Sequence, residues 1–391
     1  MTSSETMIFV FLVVMALPFA VWRILGGRQT LPLVVVQILC GIALGPAILG
    51  QFAPTFHAAI FSPDIIKGLN AVALLAVIFF VFFAGIELNL RAAWFERRDT
   101  GITAGLALVV PFAAGALAGL ILFQWQGWLG PKAALWQGAL GLGMACAVTA
   151  LPILVLFLKQ LGLMHQAIGQ RVLRYASLDD IAIWAVLALI LLDFQRLGRQ
   201  AIFAVIFIAA AYAMRKLMPR LSQGNRWPIA LIWMLTCALI TDWAGLHYIV
   251  GAFLAGAVLE SEWLGHDEID RYSAFTLTAL MPIFFLATGL RTSWEVGGMA
   301  VVGAAGLLLL AAVGGKLAGV AMAGRILNWP KGDAWGIGWL LQTKALIMII
   351  FSNVLLDKGL ISGATFTALL LMAVASTVLT MPIVTRWLSA R

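Results

Sequence analysis

The sequence predicts an all-α polytopic membrane protein of thirteen transmembrane helices. They form two inverted-topology repeats with crossed discontinuous helices, with the N-terminus outside and the C-terminus cytoplasmic. Three observations predict this. Of 391 residues, 63% are hydrophobic and only 11% charged, outside the range of soluble domains. Apolar runs long enough to cross a hydrocarbon core about 30 Å thick recur with short polar breaks. Three pairs of segments also resemble each other at a constant offset of seven spans.

In chain order the spans cover 7–22, 31–50, 68–88, 101–123, 134–158, 173–192, 200–217, 228–243, 246–260, 272–290, 300–324, 334–356 and 364–385. The first has only Glu5 before it and Arg23 and Arg28 after it, with no small-residue cleavage site, so it reads as an uncleaved anchor. The weakest separation, between the eighth and ninth, is Asp242 to His247.

Lys and Arg orient the stack, because cytoplasmic loops retain positive charge. With an external N-terminus, seventeen fall inside, among them Arg28, Arg91, Arg97, Lys331 and Arg391. Six fall outside, Arg196 among them, and Lys316 and Lys344 lie within spans. The net charge of +8 therefore reflects inner loops at an anionic membrane face and does not imply nucleic acid. Cys40, Cys146 and Cys237 have neither paired nor metal-like spacing and read as core packing.

The repeats are FFAGIELNLRAAW (82–94) with FFLATGLRTSW (284–294), GLGMACAVTALPIL (141–154) with GIGWLLQTKALIMI (336–349), and, more weakly, VVQILCGIALGPAILG (35–50) with YIVGAFLAGAVLESEWLG (248–265). An odd offset makes the copies cross the membrane in opposite senses, the inverted-repeat architecture of secondary transporters. Residues 1–192 form the first repeat, 193–227 a connector with the seventh span, and 228–391 the second, all in one membrane domain without a cytosolic regulatory domain.

The candidate site starts from Asp179 and Asp180, adjacent in the apolar stretch 173–192. Each ionised side chain near a bilayer centre costs about 2.5–3.5 kcal/mol on insertion scales, and neighbouring carboxylates repel, so the pair needs a cation, a proton or a buried base. In inverted-repeat transporters the midplane site is built by broken helices. The candidate breaks are Thr149-Ala150-Leu151-Pro152, where the proline removes a backbone donor, and Gln342-Thr343-Lys344, which rests on the repeat alone. Thr149, Asp180, Lys316 and Thr343 lie six to ten residues from cytoplasmic span ends, roughly 9–15 Å inside at the helical rise. Four spans thus bring polar groups to one level.

The ordered set GIALGPAILG, FFAGIELNL, VTALPIL, the aspartate pair after LRYAS, GAFLAGAVL, MPIFFLATGL, GKLAG and QTKAL followed by GLIS covers nearly the whole chain. It resembles the second branch of the monovalent cation:proton antiporters, which includes bacterial Na⁺/H⁺ antiporters, Kef-type potassium systems and plant cation/proton exchangers. The resemblance implies a sodium/proton antiporter-like fold and a homodimer with a dimerisation domain and a mobile core. It implies exchange of Na⁺, with K⁺ or Li⁺ as alternatives, for H⁺, without a further cofactor. It makes Asp180 the carboxylate that binds cation and proton in turn, Asp179 its companion and Lys316 the companion's partner. It makes Thr149 with Ala150, and Thr343, suppliers of cation-binding oxygens at the breaks. Lys344 matches the basic residue of an Asn-Thr-Lys/Arg-Gly pattern, in which this chain has Gln342 and Ala345 instead. Two adjacent aspartates imply electrogenic exchange.

Other residues have plainer readings. Glu87 pairs locally at a span end, and His57, His165, His247 and His266 are interfacial. The acidic run from Glu260 to Asp270 is a solvated loop, and Trp22, Trp94, Trp294 and Trp387 suit an interfacial belt. Competing functions are a Kef-like potassium efflux protein, a sodium-coupled solute carrier of the same fold, an intramembrane enzyme and a non-transporting sensor. HExxH and rhomboid-like Ser/His motifs are absent. Compactness without targeting extensions suits a bacterial inner membrane.

Overall fold

The computed structural model describes residues 3–26, 32–46, 48–87, 97–164, 166–191, 197–330 and 332–389. Expectations resting on Arg28, Arg91, His165, Arg196, Lys331, Arg391, the Arg97 side chain or residues 88–94 lie outside the described residues. Among those described, the chain is helical apart from one isolated bridge between Leu129 and Ile361.

The helices are α1 (Ser3–Ile24), α2 (Leu33–Leu44), α3 (Leu49–Phe52), α4 (Pro54–Ile60), α5 (Pro63–Ile86), α6 (Arg97–Leu122), α7 (Leu135–Ala147), α8 (Leu151–Gln160), α9 (Ala167–Ile190) and α10 (Leu197–Leu217). After a 3₁₀ turn (Met218–Arg220) come α11 (Gln223–Trp243), α12 (Tyr248–Val258), α13 (Ser261–Leu264) and α14 (His266–Phe275). A π turn (Thr276–Leu280) leads into α15 (Met281–Gly289), followed by α16 (Gly298–Ile326), α17 (Asp333–Leu340), α18 (Ile347–Asp357) and α19 (Gly363–Ser389). Helix satisfies every backbone donor within the segment, which an apolar surrounding demands. Proline stands at the first position of α5 and the second of α8, within the first turn, where its missing N–H costs nothing.

Nine helices among the described residues are long and apolar enough to cross a membrane. The other four expected spans fall short for identifiable reasons. Helix α9 carries Arg171, Arg174, Asp179 and Asp180, and α11 opens on Gln223, Asn225 and Arg226. Helix α12 has only 11 residues, and the twelfth span is divided into α17 and α18, of 8 and 11 residues.

The chain forms two compact units, each drawing on both halves of the sequence. One comprises Met1–Leu12, Ile60–Leu88 and Leu191–Ala287. Its core joins α5, α11 and α12 through Phe82, Phe83, Trp233, Met234 and Cys237. Helices α5 and α12 cross where glycines meet: a Cβ on Gly85 would run into the Phe253 carbonyl, and one on Gly256 into that of Phe82. The acidic run differs from the solvated loop expected. It is helical, Glu260 pairs with Arg215, and Glu268 accepts the Trp227 indole N–H, because basic and indole donors of α10 and α11 lie alongside. His247 is buried rather than interfacial. Its φ is 99°, and its Nδ1 accepts the Ile249 N–H at 3.4 Å, capping α12.

The second unit comprises Val13–Ala59, Asn89–Ile190 and Thr288–Arg391. Here α6 packs between α7 and α16, α16 runs along α17 and α19, and α9 closes on α6, α7 and α8. A Cβ on Gly289 would enter the backbone of Gly41. This second glycine crossing joins the tenth and second expected spans, whereas the first unit joins the third and ninth. At one end of the unit Asp99 accepts from Arg171 at 3.1 Å and from the Tyr175 hydroxyl, and Arg171 lies 4.3 Å over the Trp329 ring. The three cysteines are free and buried.

Candidate ion-binding site

All the candidate residues fall in the second unit, where two interrupted helices cross. The first interruption separates α7 from α8. Val148 and Ala150 are extended, with ψ of 148° and 100°, and α8 restarts at Leu151. A continuous helix is blocked here because Pro152 has no N–H for the Val148 carbonyl four residues back and its ring would clash with it. The second separates α17 from α18 over 341–346, although no proline lies there. Tertiary hydrogen bonds hold it open instead. The Ala150 N–H donates to the Thr343 carbonyl, and the Thr149 hydroxyl donates to the Leu341 carbonyl at 2.8 Å. Each break thus satisfies groups that the other exposes.

Two ammonium groups gather at the carbonyl end of α7. Lys316, from the middle of α16, donates to the Ala147 carbonyl and to Asp179 Oδ2 at 2.8 Å. Lys344, from the second break, donates to the carbonyls of Cys146 at 2.7 Å and Val148 at 3.0 Å. A helix C-terminus carries partial negative charge, so cations there offset both the dipole and the orphaned carbonyls. Both lysines are fully buried.

Asp179 and Asp180 are both buried in α9, at 2% and 5% exposure. Consecutive helical positions differ by about 100°, so Asp180 does not share the direction in which Asp179 faces Lys316. Together the aspartates and lysines carry zero formal charge when all are ionised. Thr149 spends its proton on Leu341, which leaves its lone pairs as acceptors. The Thr343 hydroxyl turns back on Leu340 at 3.4 Å. Gln342 donates Nε2 to the Val313 carbonyl of α16 at 3.3 Å, leaving its buried Oε1 without a hydrogen-bond partner among the described residues.

Sequence reasoning missed Thr377 of α19. Its hydroxyl oxygen accepts the N–H groups of Lys344 at 3.3 Å and Ala345 at 3.2 Å. A signal was present: α19 carries Thr365, Thr367, Ser376, Thr377 and Thr380, all buried, in a helix otherwise apolar as far as Val384.

The family described as sodium/hydrogen exchanger, transmembrane, matches residues 9–390. Na(+)/H(+) antiporter NhaS4 of Synechocystis is 30% identical over 382 residues, covering 93% of this chain and 92% of that protein. Cation/H(+) antiporter 18 of Arabidopsis thaliana is 28% identical over 90% of this chain, which spans 45% of the plant protein's length. Among solved structures, the sodium proton antiporter MjNhaP1 of Methanocaldococcus jannaschii shares the fold, with a TM-score of 0.59, 13% identity and coverage of 99% and 97% of the two chains. The chain belongs to the sodium/hydrogen exchanger family. It is therefore a member of a transporter family, not an enzyme.

Proposed function

We propose that this protein exchanges a monovalent cation for protons across a membrane by alternating access. Asp180 takes cation and proton in turn, Asp179 is its companion, Lys316 compensates charge, and Thr149 with the Ala150 and Thr343 backbone lines the crossing. The observation that carries the reading is the buried Asp179–Lys316 pair, tied to the end of a broken helix in a chain of this family. If proton and cation cannot share Asp180, and only occupied forms change their exposure, exchange follows from competition for one carboxylate. All the named groups lie within one compact unit, so they can move together.

Na⁺ is the favoured cation, by analogy with the relative named for it, with K⁺ and Li⁺ as alternatives. Electrogenic exchange of more than one proton per cation follows if Asp179 also takes a proton when Lys316 leaves it. Thirteen crossings, an external N-terminus, a cytoplasmic C-terminus and sequential inverted repeats complete the reading, with a homodimer in a bacterial inner membrane. The two glycine crossings, exchanged between second, third, ninth and tenth spans, favour the repeat.

Internal pH followed in proteoliposomes after separate pulses of Na⁺, K⁺ and Li⁺ tests the function and reads the selectivity. Proton movement driven by at least one cation is expected; none with any of the three would refute the reading. An imposed membrane potential should change the rate, and an unchanged rate would remove electrogenicity alone.

A further inference from the structure

We infer that Thr377 is a positioning residue for the ion site, holding the second helix break so that Lys344 reaches the first. The inference rests on the exchange reading above. Over 341–346 the chain leaves helical geometry, and the amides of Lys344 and Ala345 face neither solvent nor a helical carbonyl. A buried N–H without an acceptor is costly, so something must accept these two. The Thr377 hydroxyl accepts both, from a side chain with no exposed surface.

Lys344 is consequently held at two points. Its backbone is fixed by Thr377, and its ammonium binds the Cys146 and Val148 carbonyls. Between those carbonyls lies that of Ala147, which accepts from Lys316, and Lys316 in turn binds Asp179. Hydrogen bonds joined by the Lys344 side chain and the Cys146–Val148 backbone therefore link α19 to Asp179. Among the described residues Thr377 makes no hydrogen bond to a carboxylate, so its effect reaches the site through the Lys344 and Ala345 backbone. Losing the acceptor frees the break to shift, which changes how well the site fits a cation more than how fast an occupied protein turns over.

The test compares Thr377→Val, which keeps shape but removes the acceptor, with Thr377→Ser, which restores it. Ser376→Ala serves as control, since among the described residues Ser376 donates only to Ala373 in its own helix. In proteoliposomes Thr377→Val should raise the half-saturating cation concentration about tenfold while changing the maximal rate less than about threefold. Thr377→Ser should stay within about twofold of wild type, and Ser376→Ala should match it. Hydrogen–deuterium exchange at the Lys344 and Ala345 amides should quicken in Thr377→Val and not in Thr377→Ser. If Thr377→Val does not insert, Thr377→Cys, a weaker acceptor of similar size, should show an intermediate rise. Wild-type half-saturation in the Val or Cys variant, equal amide protection, or a Ser variant as impaired as Val would overturn the inference while leaving exchange intact. A wild type that exchanges no cation for protons would overturn the functional reading and this inference together.

Discussion

Lys316 Nζ lies 2.8 Å from Asp179 Oδ2, with the lysine side chain at 0% exposure and the aspartate at 3%, and the same ammonium caps the last carbonyl of α7. An ion pair taken out of water gains little net stability over a well-packed apolar pair, but breaking it leaves one buried charge alone. Net stability alone therefore does not account for this ion pair at a helix break.

Replacing one partner should unfold the protein more easily than replacing both. Lys316→Met is expected to cost about 3–5 kcal/mol, and Asp179→Asn with Lys316→Met to recover part of that. Thermal unfolding in detergent reads the double-mutant cycle. Additive effects would mean that the two side chains do not depend on each other.

Protons and cations competing for one carboxylate fix the sign of the pH response. As pH falls, more sites hold a proton, so the half-saturating cation concentration rises. With one proton per cation it approaches about tenfold per pH unit where the site is mostly protonated, and with two it rises more steeply. Half-saturation measured across the neutral and alkaline range should show this trend, whereas a flat profile would exclude competition.

The glycine crossing of α5 and α12 should tolerate no side chain. Gly256→Val drives its Cβ into the Phe82 carbonyl and should destabilise by about 1–3 kcal/mol. Gly303→Ala, in α16 with nothing within 4 Å, should be neutral or stabilising by about 0.5–1 kcal/mol. Thermal unfolding of the two variants checks the contrast, and equal tolerance would mean that the helices do not approach closely.

The carboxylates were legible in the sequence because a charge in an apolar run is expensive wherever it points, and the first break because Pro152 blocks a helix locally. The second break has no such local cause. It showed only through the repeat, since Thr149, Ala150 and Thr377 hold it open from distant positions. Thr377 escaped notice because a threonine in an apolar helix is cheap when its hydroxyl bonds backbone. The lysines could be placed at depth, but their carbonyl partners could not, since every carbonyl is identical in sequence. The interleaving of the two units was equally hidden, because it depends on contacts between elements far apart in the chain.

If one buried carboxylate carries both ions, Asp180→Asn abolishes exchange. Cation-driven proton flux should be measured in proteoliposomes holding equal amounts of folded wild type and variant. Flux is expected in the wild type with at least one of Na⁺, K⁺ and Li⁺, and none above protein-free vesicles in the variant. Wild-type flux from Asp180→Asn would contradict a shared carboxylate.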